Sequence, residues 1–550
     1  MPNIAGHLAE MARLQPSRPA VICAHGRDRS GAVAYVQLSF QELEEASNRL
    51  ACGLGDAGIR RGVRAALMVP PGLDFFALSF ALFKSGAVPV LIDPGIGIRN
   101  LGACLAHAQP QAFIGVSRAH AARAALGWAR NSIRINVTVG AKWFWGGHTL
   151  NQLRQRIPDS QPFTAVEPLP GEIAAILFTS GGTGTPKGVV YTHEIFTAQV
   201  AHIRRLYGIE PGELDLATFP LFALFGPALG MTAVIPEMDP TRPANVNPLN
   251  IVNAIEQFGI TNMFGSPALV DRVGRHGEAT GVKLPTLRRV ISAGAPVPAK
   301  ALARFASMLR PGVQVFTPYG ATECLPVASI GSDEVLADTR HRTEQGAGVC
   351  IGRPVPGLTA KVIRITDEAI AQWDDALELP TGEVGEIAVK ADHATHAYFD
   401  LPEATTLAKI PDPGSGGYFH RMGDLGYFDE RGRLWFCGRK AHRVLTPQGT
   451  RFTVPCEGVF NQDSRVFRTA LVGVRRNGAT EPVLCVELEA GARREAKEAI
   501  RAELRALGSR YECTRQIKTI LFHPAFPVDV RHNAKIFRDR LAVWASRQLQ

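Results

Sequence analysis

The chain has 550 residues, 46% of them hydrophobic and 20% charged, with a formal net charge of +10. That is enough for a large core and a further domain of an ordinary globular enzyme handling anionic substrates. Its basic residues are dispersed and no RNP-type or zinc-finger spacing accompanies them, which argues against a nucleic-acid partner, while nine cysteines without a Cys-x-x-Cys pair indicate neither a zinc site nor a disulfide framework.

From Leu38 onward helix and strand patterns alternate. Leu43, Ala46, Leu50 and Leu54 mark one helix face. After the breaks at Gly58 and Gly62, Ala65-Ala66-Leu67-Met68-Val69 reads as a strand. Phe75, Leu78 and Leu82 give a second helix, and Val88-Pro89-Val90-Leu91-Ile92 a second strand. Strand, helix, strand in that order implies parallel pairing in an α/β sheet.

A short apolar run, Ile173-Ala174-Ala175-Ile176-Leu177-Phe178, then delivers a loop of glycines and hydroxyls: Thr179, Ser180, Gly181, Gly182, Thr183, Gly184, Thr185, Pro186, Lys187 and Gly188. Glycines let backbone approach phosphate oxygens, the hydroxyls donate, and Lys187 supplies a point charge. A Walker loop ends Gly-Lys-Ser/Thr, whereas Pro186 precedes Lys187 and Gly188 follows it, which excludes the ordinary kinase or GTPase reading. The bland alternative is a glycine-rich surface hairpin.

Further on, Phe219, Leu221, Phe222, Leu224, Phe225 and Met231 form an apolar cluster around Ala223. It suits an alkyl chain and suits core packing equally well. Strand patterns recur at Asn262-Met263-Phe264, just before Ser266-Pro267-Ala268-Leu269, and at Arg289-Val290-Ile291. The second is followed by Ser292-Ala293-Gly294-Ala295-Pro296, small enough for a flat base to lie against backbone. Tyr319-Gly320-Ala321-Thr322-Glu323 sets a ring, a hydroxyl and a carboxylate within five residues, which suits stacking, phosphate contact and magnesium ligation.

After about residue 345 short strands and turns dominate: Lys361-Val362-Ile363, Gly385-Glu386-Ile387-Ala388-Val389, and a hairpin over 427–436 with its tip at Glu430-Arg431-Gly432. Met422-Gly423-Asp424-Leu425-Gly426 reads as a turn carrying one carboxylate for ribose hydroxyls. Beyond Gly438 the chain looks like a small α+β unit, with strands over 470–474 and 483–488 and a helix over 493–507. Asn533-Ala534-Lys535-Ile536 places a lone lysine near the end.

Singly these strings are weak, but their order is not. Together they resemble the adenylate-forming superfamily of acyl-CoA synthetases, peptide-synthetase adenylation domains and luciferases, over nearly the whole chain. The resemblance implies an α/β fold: a large multi-sheet N-terminal AMP-binding domain with a β-rich appendage, residues 1–438, and a small α+β mobile lid, residues 439–550. It implies that a carboxylate attacks the α-phosphorus of ATP, with Mg2+ as the metal, giving an acyl-adenylate and pyrophosphate. Lys187 and the loop from Thr179 would hold the leaving pyrophosphate. Gly294, Ala295, Pro296, Tyr319, Gly320, Ala321 and Thr322 would line the nucleotide, Asp424 its ribose, with Arg439 at the start of the hinge. Glu323 would ligate magnesium, and Lys535 would reach the carboxylate and α-phosphate. Phe222, Ala223, Phe225, Ser266 and Pro267 would form the acyl pocket.

Departures from the family pattern carry the substrate information. After Gly438-Arg439 the family commonly has an acidic or lysine hinge, where this chain has Lys440-Ala441-His442-Arg443-Val444-Leu445; Thr446-Pro447-Gln448-Gly449-Thr450 replaces a basic-glycine stretch on the coenzyme A path. Asn533-Ala534 and Gly182 also depart. Drift in an ordinary fatty acyl-CoA or acyl-AMP ligase is one explanation. The other is that no external thiol is used, because 219–225, 319–327, 434–440 and 526–535 look like the β-lactone synthetases of long-chain olefin biosynthesis. In that group a long-chain 2-alkyl-3-hydroxy fatty acid is activated and its own hydroxyl closes a β-lactone, so a tethered acceptor replaces a second binding site. His193, His442 and His532 are candidates by residue type for the base that this needs. Reduced thiols point to the cytoplasm, and no apolar run is long enough for an integral membrane segment; the resemblance adds a lactone decarboxylase and a ketone reductase as candidate partners. A nucleotide-binding scaffold without catalysis is the third reading, and the presence of Glu323, Asp424 and Lys535 argues against it.

Overall fold

The computed structural model describes residues 3–158, 161–178, 186–476, 478–528 and 535–550. Strands among these residues form a seven-stranded sheet, a 14-stranded sheet, a three-stranded sheet and a two-stranded ribbon.

In the seven-stranded sheet Arg64–Met68 pairs in parallel with Val88–Ile92 on one side and with Ala112–Val116 on the other. The helix before it, Phe40–Asp56, begins at Ser39, whose hydroxyl accepts from the Glu42 N–H while the Glu42 carboxylate accepts from the Ser39 N–H, a capping box. Leu43, Leu50 and Leu54 are fully buried, each contributing about 1.5–3 kcal/mol; Ala46 is half-buried. The next helix, Leu73–Lys84, is buried from Phe75 to its last residue. The stripe Phe75, Leu78, Leu82 therefore understates it, because a helix apolar on all sides lies inside the protein. Its one cation, Lys84, lies among the Glu44 carboxylate at 2.7 Å, Ser47 Oγ at 2.8 Å and Asn48 Oδ1 at 2.6 Å. Burial still pushes the ammonium down to about 8.

The same sheet ends with Ile173–Phe178 paired antiparallel to Gly188–Thr192, the two strands meeting at Phe178 and Gly188. A Cβ at Gly188 would sit 2.9 Å from Ile176 Cγ2 and 3.1 Å from the Phe178 ring, so glycine keeps the hairpin neck closed. Of the loop it carries, Thr179, Ser180, Gly181, Gly182, Thr183, Gly184 and Thr185 lie outside the described residues, as do His532, Asn533 and Ala534 near the C-terminus.

The large sheet begins with parallel strands: Leu214–Ala217 pairs with Asn262–Gly265, that with Arg289–Ser292, and that with Val315–Ala321. Cys324–Gly331 then turns back antiparallel on Val315–Ala321. The β-rich part expected after residue 345 continues this sheet, since Val349–Pro354 joins Cys324–Gly331 through Ala328↔Pro354 and Ser329↔Arg353. Leu434–Arg439, Tyr418–Phe428, Gly385–Lys390 and Thr359–Ile363 follow outward, all antiparallel.

The last hundred residues build a third layer set. Val466–Arg476 and Ala479–Leu488 are antiparallel, and Thr519–Phe522 adds in parallel. One face packs Phe460, Ile500 and Leu504, and the other packs Leu541 and Ala545. The expected helix over 493–507 runs instead over Lys497–Ser509. A 3-10 turn, Ala490–Arg494, takes the earlier residues, and extended backbone at Ala496 (ψ 102°) separates the two.

Candidate active site

A cavity of about 1840 Å³ lies along the C-terminal ends of the parallel strands of the large sheet and reaches residues of the C-terminal unit, Lys535 and Arg538 among them. Crevices at that edge of an α/β sheet are where such folds bind ligands.

Its polar end is built by Val315–Ala321 and the turn after it, facing the adjoining strands. Tyr319 donates its hydroxyl to Asp424 Oδ2 at 2.7 Å, and Arg439 Nε lies 3.1 Å from Asp424 Oδ1. Asp424 is not in a turn, as the sequence suggested. It lies inside the strand Tyr418–Phe428, where it pairs in register with Arg439 of the neighbouring strand. The left-handed residue, Gly423 at φ 66°, sits beside it within the strand. Burial raises the Asp424 carboxyl above its ordinary range, against the opposing pull of Arg439. Burial and the adjacent carboxylate hold the Tyr319 phenol well above its own, so it stays a donor. Asp424 Oδ1 is buried and accepts no hydrogen bond among the described residues; with Arg439 beside it, it fits a ligand hydroxyl.

Glu323 lines the same end. Its Oε1 accepts from the Tyr398 hydroxyl at 2.7 Å, and its backbone carbonyl accepts from Thr395 N at 2.8 Å and Thr395 Oγ1 at 3.1 Å. The preceding carbonyl, of Thr322, accepts from the Tyr191 hydroxyl at 2.5 Å. A carboxylate bound by one phenol, on a backbone fixed through two carbonyls, fits a hard divalent cation, which takes oxygen ligands. Lys187 Nζ lies 4.8 Å from the centre of the Tyr398 ring, a cation–π contact. Gly294, Ala295 and Pro296 also line the cavity. Gly294 adopts φ 102°, a conformation that glycine enters without strain.

The other end is aromatic. Phe222 packs against Phe219 at 5.2 Å, Phe264 at 4.6 Å and Phe225 at 6.3 Å between ring centres. These rings, with Ser266 and Pro267, face the cavity. Ser266 caps the helix Pro267–Thr280 by accepting from Leu269 N. Ala223 and Met231 differ: both belong to the buried core behind this wall, and Ala223 is corrected from pocket to core. A second apolar group, Phe80, Phe83, Phe196, Val200 and Ile203, also lines the cavity.

At the junction with the C-terminal unit, Lys440 Nζ contacts Glu386 Oε2 at 3.1 Å and the Thr366 carbonyl at 2.8 Å. Glu386 is fully buried and also holds Arg421 at 2.6 Å. Ala441 is exposed. The stretch 446–450 forms part of a two-stranded ribbon. Half-buried Lys535 lines the cavity. Of the histidines, His193 is buried and its Nδ1 accepts from the Ile4 N–H at 3.1 Å, whereas His442 lines the cavity and is pushed down to about 4, chiefly by burial.

Several residues of this site escaped the sequence reading. Tyr398 reaches Glu323 across 75 positions and sits in no motif. Lys409 is buried, donates to the Thr395 carbonyl, and is pushed down to about 8 by burial despite the nearby Glu323. His420, which lines the cavity, is held well below its ordinary pKa by burial, and its Nδ1 has no partner among the described residues. None of the three falls within a motif that the sequence singles out.

Comparison with known proteins agrees with this geometry. A family model described as AMP-binding enzyme matches residues 8–399. The chain is similar to an olefin beta-lactone synthetase of Stenotrophomonas maltophilia, 50% identical over all of this chain and 99% of that one. It is likewise similar to an olefin beta-lactone synthetase of Xanthomonas campestris pv. campestris, 49% identical over 99% and 98%. Among solved structures, the amide bond synthetase McbA from Marinactinospora thermotolerans shares the fold, with a TM-score of 0.79 and 23% identity over 98% of this chain and 99% of that one.

Proposed function

Because the chain belongs to the AMP-binding enzyme family, we propose that it converts a long-chain 2-alkyl-3-hydroxy fatty acid to a β-lactone at the expense of ATP. The carboxylate oxygen attacks the α-phosphorus, the bond to the β-phosphate breaks, and pyrophosphate leaves. The β-hydroxyl oxygen then attacks the acyl carbon and gives up its proton, the acyl–phosphate bond breaks, and AMP leaves. Two anions must meet in the first step, so cation placement supplies much of the stabilisation.

In this reading Lys187 and the loop from Thr179 hold pyrophosphate, Asp424 accepts from the ribose, and Tyr319 with Gly294, Ala295 and Pro296 flanks the base. Glu323, fixed by Tyr398, would hold the magnesium that accompanies ATP and neutralises its phosphates. Lys535 carries charge from a lid, residues 439–550, to the carboxylate. Phe222, Phe225, Ser266 and Pro267 with the Phe80–Phe196 group offer two apolar surfaces, which suit the two alkyl arms of a 2-alkyl-3-hydroxy acid. The enzyme would act in the cytoplasm, consistent with nine free cysteines, alongside a lactone decarboxylase and a ketone reductase. Among the described residues no helix is long and apolar enough to cross a membrane.

The observation that carries the proposal is one cavity joining an aromatic wall to a carboxylate-and-arginine end in a chain so close, along its full length, to the Stenotrophomonas protein. Incubation with a 2-alkyl-3-hydroxy acid, ATP and magnesium, without thiol, tests it. Equal amounts of AMP and lactone are expected, and the acid lacking the β-hydroxyl should give no lactone. Turnover that requires coenzyme A would make the protein an acyl-CoA ligase instead.

A further inference from the structure

Away from the cavity, His202 on the helix His193–Tyr207 meets Asp392 and His393 on the loop after Gly385–Lys390. His202 Nε2 lies 2.8 Å from Asp392 Oδ1, and His393 Nδ1 lies 3.2 Å from the same oxygen. The two imidazoles are 4.4 Å apart between centres, and one donor atom from each of the three residues falls within 4.8 Å of the others.

The proton positions make this more than a hydrogen-bonded cluster. His393 Nε2 is 2.8 Å from the Pro326 carbonyl, and a carbonyl only accepts, so that nitrogen carries the hydrogen. In the neutral ring Nδ1 then has a lone pair, and it points at an oxygen of a carboxylate that also only accepts. The result is a clash of two acceptors 3.2 Å apart at a fully buried ring. A bound cation relieves it: one electron-poor centre takes both lone pairs. An imidazole whose other N–H is fixed on a backbone carbonyl is also the usual outer-shell arrangement of a metal-bound histidine.

We propose that His202 Nε2, His393 Nδ1 and the Asp392 carboxylate bind a zinc-type divalent cation. Two imidazoles and one carboxylate suit Zn2+ or Co2+ far better than Mg2+, which favours oxygen ligands. The site is thus chemically distinct from the magnesium that accompanies ATP. Asp392 is two-thirds exposed, which leaves the fourth position to water. The ion would tie the helix to the loop whose Thr395 grips the Glu323 carbonyl and whose Tyr398 binds its carboxylate. It is a clamp on the position of Glu323, not a participant in the chemistry.

Full-length protein stripped with chelator and titrated with Co2+ tests this. One equivalent should give the visible bands of a tetrahedral nitrogen–oxygen site, without a thiolate charge-transfer band, and Zn2+ should displace it. Asp392→Asn removes the anionic ligand yet lets the amide donate to His393 Nδ1, so it should fold normally and melt like chelated wild type. Both Asp392→Asn and His202→Ala should bind the metal more than about tenfold less tightly, a loss that even outer-shell changes cause. Equal metal binding by wild type and both variants, or no Co2+ site in wild type, overturns the proposal.

Discussion

The two ends of the cavity are built on opposite principles. At the polar end nearly every side chain has a fixed partner: Tyr319 with Asp424, Arg439 with Asp424, Tyr398 and Thr395 with Glu323. At the aromatic end Phe222, Phe225 and Phe264 are held by ring packing alone. Directional bonds at the first fix positions to within a fraction of an ångström, as charge stabilisation requires. Packing at the second fixes volume, and a wall defined by volume accepts a range of chain lengths.

Breaking the polar end should cost most. Lys535→Ala is expected to lower pyrophosphate release by about 10²–10³-fold, the scale of one lost transition-state donor, while ATP binding measured by calorimetry changes little. Normal pyrophosphate release by that variant would remove Lys535 from the chemistry. Tyr398→Phe keeps the ring beside Lys187 but deletes the bond to Glu323. A hydrogen bond to a charged group contributes about 1.5–3 kcal/mol, so kcat/KM for magnesium-ATP should fall by about tenfold or more, and an unchanged value would show that Glu323 needs no such support. Truncating the aromatic wall should do less. Phe222→Ala is expected to shift preference toward longer or bulkier acids by severalfold per methylene, from about 0.8 kcal/mol per buried CH2, with the KM for ATP unaltered. Equal loss for every chain length would assign Phe222 to the core.

The smallest effect concerns pH. Lys409 is pushed down to about 8 in the folded protein from an ordinary 10.5. Below pH 8 both states carry the proton, and between pH 8 and 10.5 the unfolded chain binds more of it, so this group makes stability rise with pH across that window. Lys84 acts in the same direction. Lys409→Met should flatten the rise by a few degrees of melting temperature, and an unchanged slope would place the lysine in water.

The same contrast explains what the sequence disclosed. Tyr319, Glu323 and Asp424 were legible because backbone and side-chain chemistry at the polar end needs particular residue types in a short string. Even so, Asp424 was expected in a turn, since Gly423 and Gly426 look like turn residues and only the register with Arg439 shows the strand. Tyr398 and Lys409 were not legible, as each acts across a distance that no local pattern spans. At the aromatic end Phe222 and Ala223 are neighbours of similar hydropathic meaning, yet one faces the cavity and the other the core. Nothing local marks Phe80 and Phe196 as cavity residues, for the same reason. The parallel strands were recovered because their apolar runs and glycine breaks are local, whereas the continuity of the large sheet past residue 345 rests on two residue pairs contributed from afar.

Glu386 is gripped by Arg421 on one side and Lys440 on the other, which turns the end of the long sheet into a bolted axle. The chain is thereby anchored in the interior just before it passes from the large sheet to the C-terminal unit. The next residue, Ala441, is exposed and has no side chain beyond Cβ. Were the C-terminal unit to swing as a lid, the chain would turn just past this pin, and a bulky or β-branched residue at 441 would slow that turn.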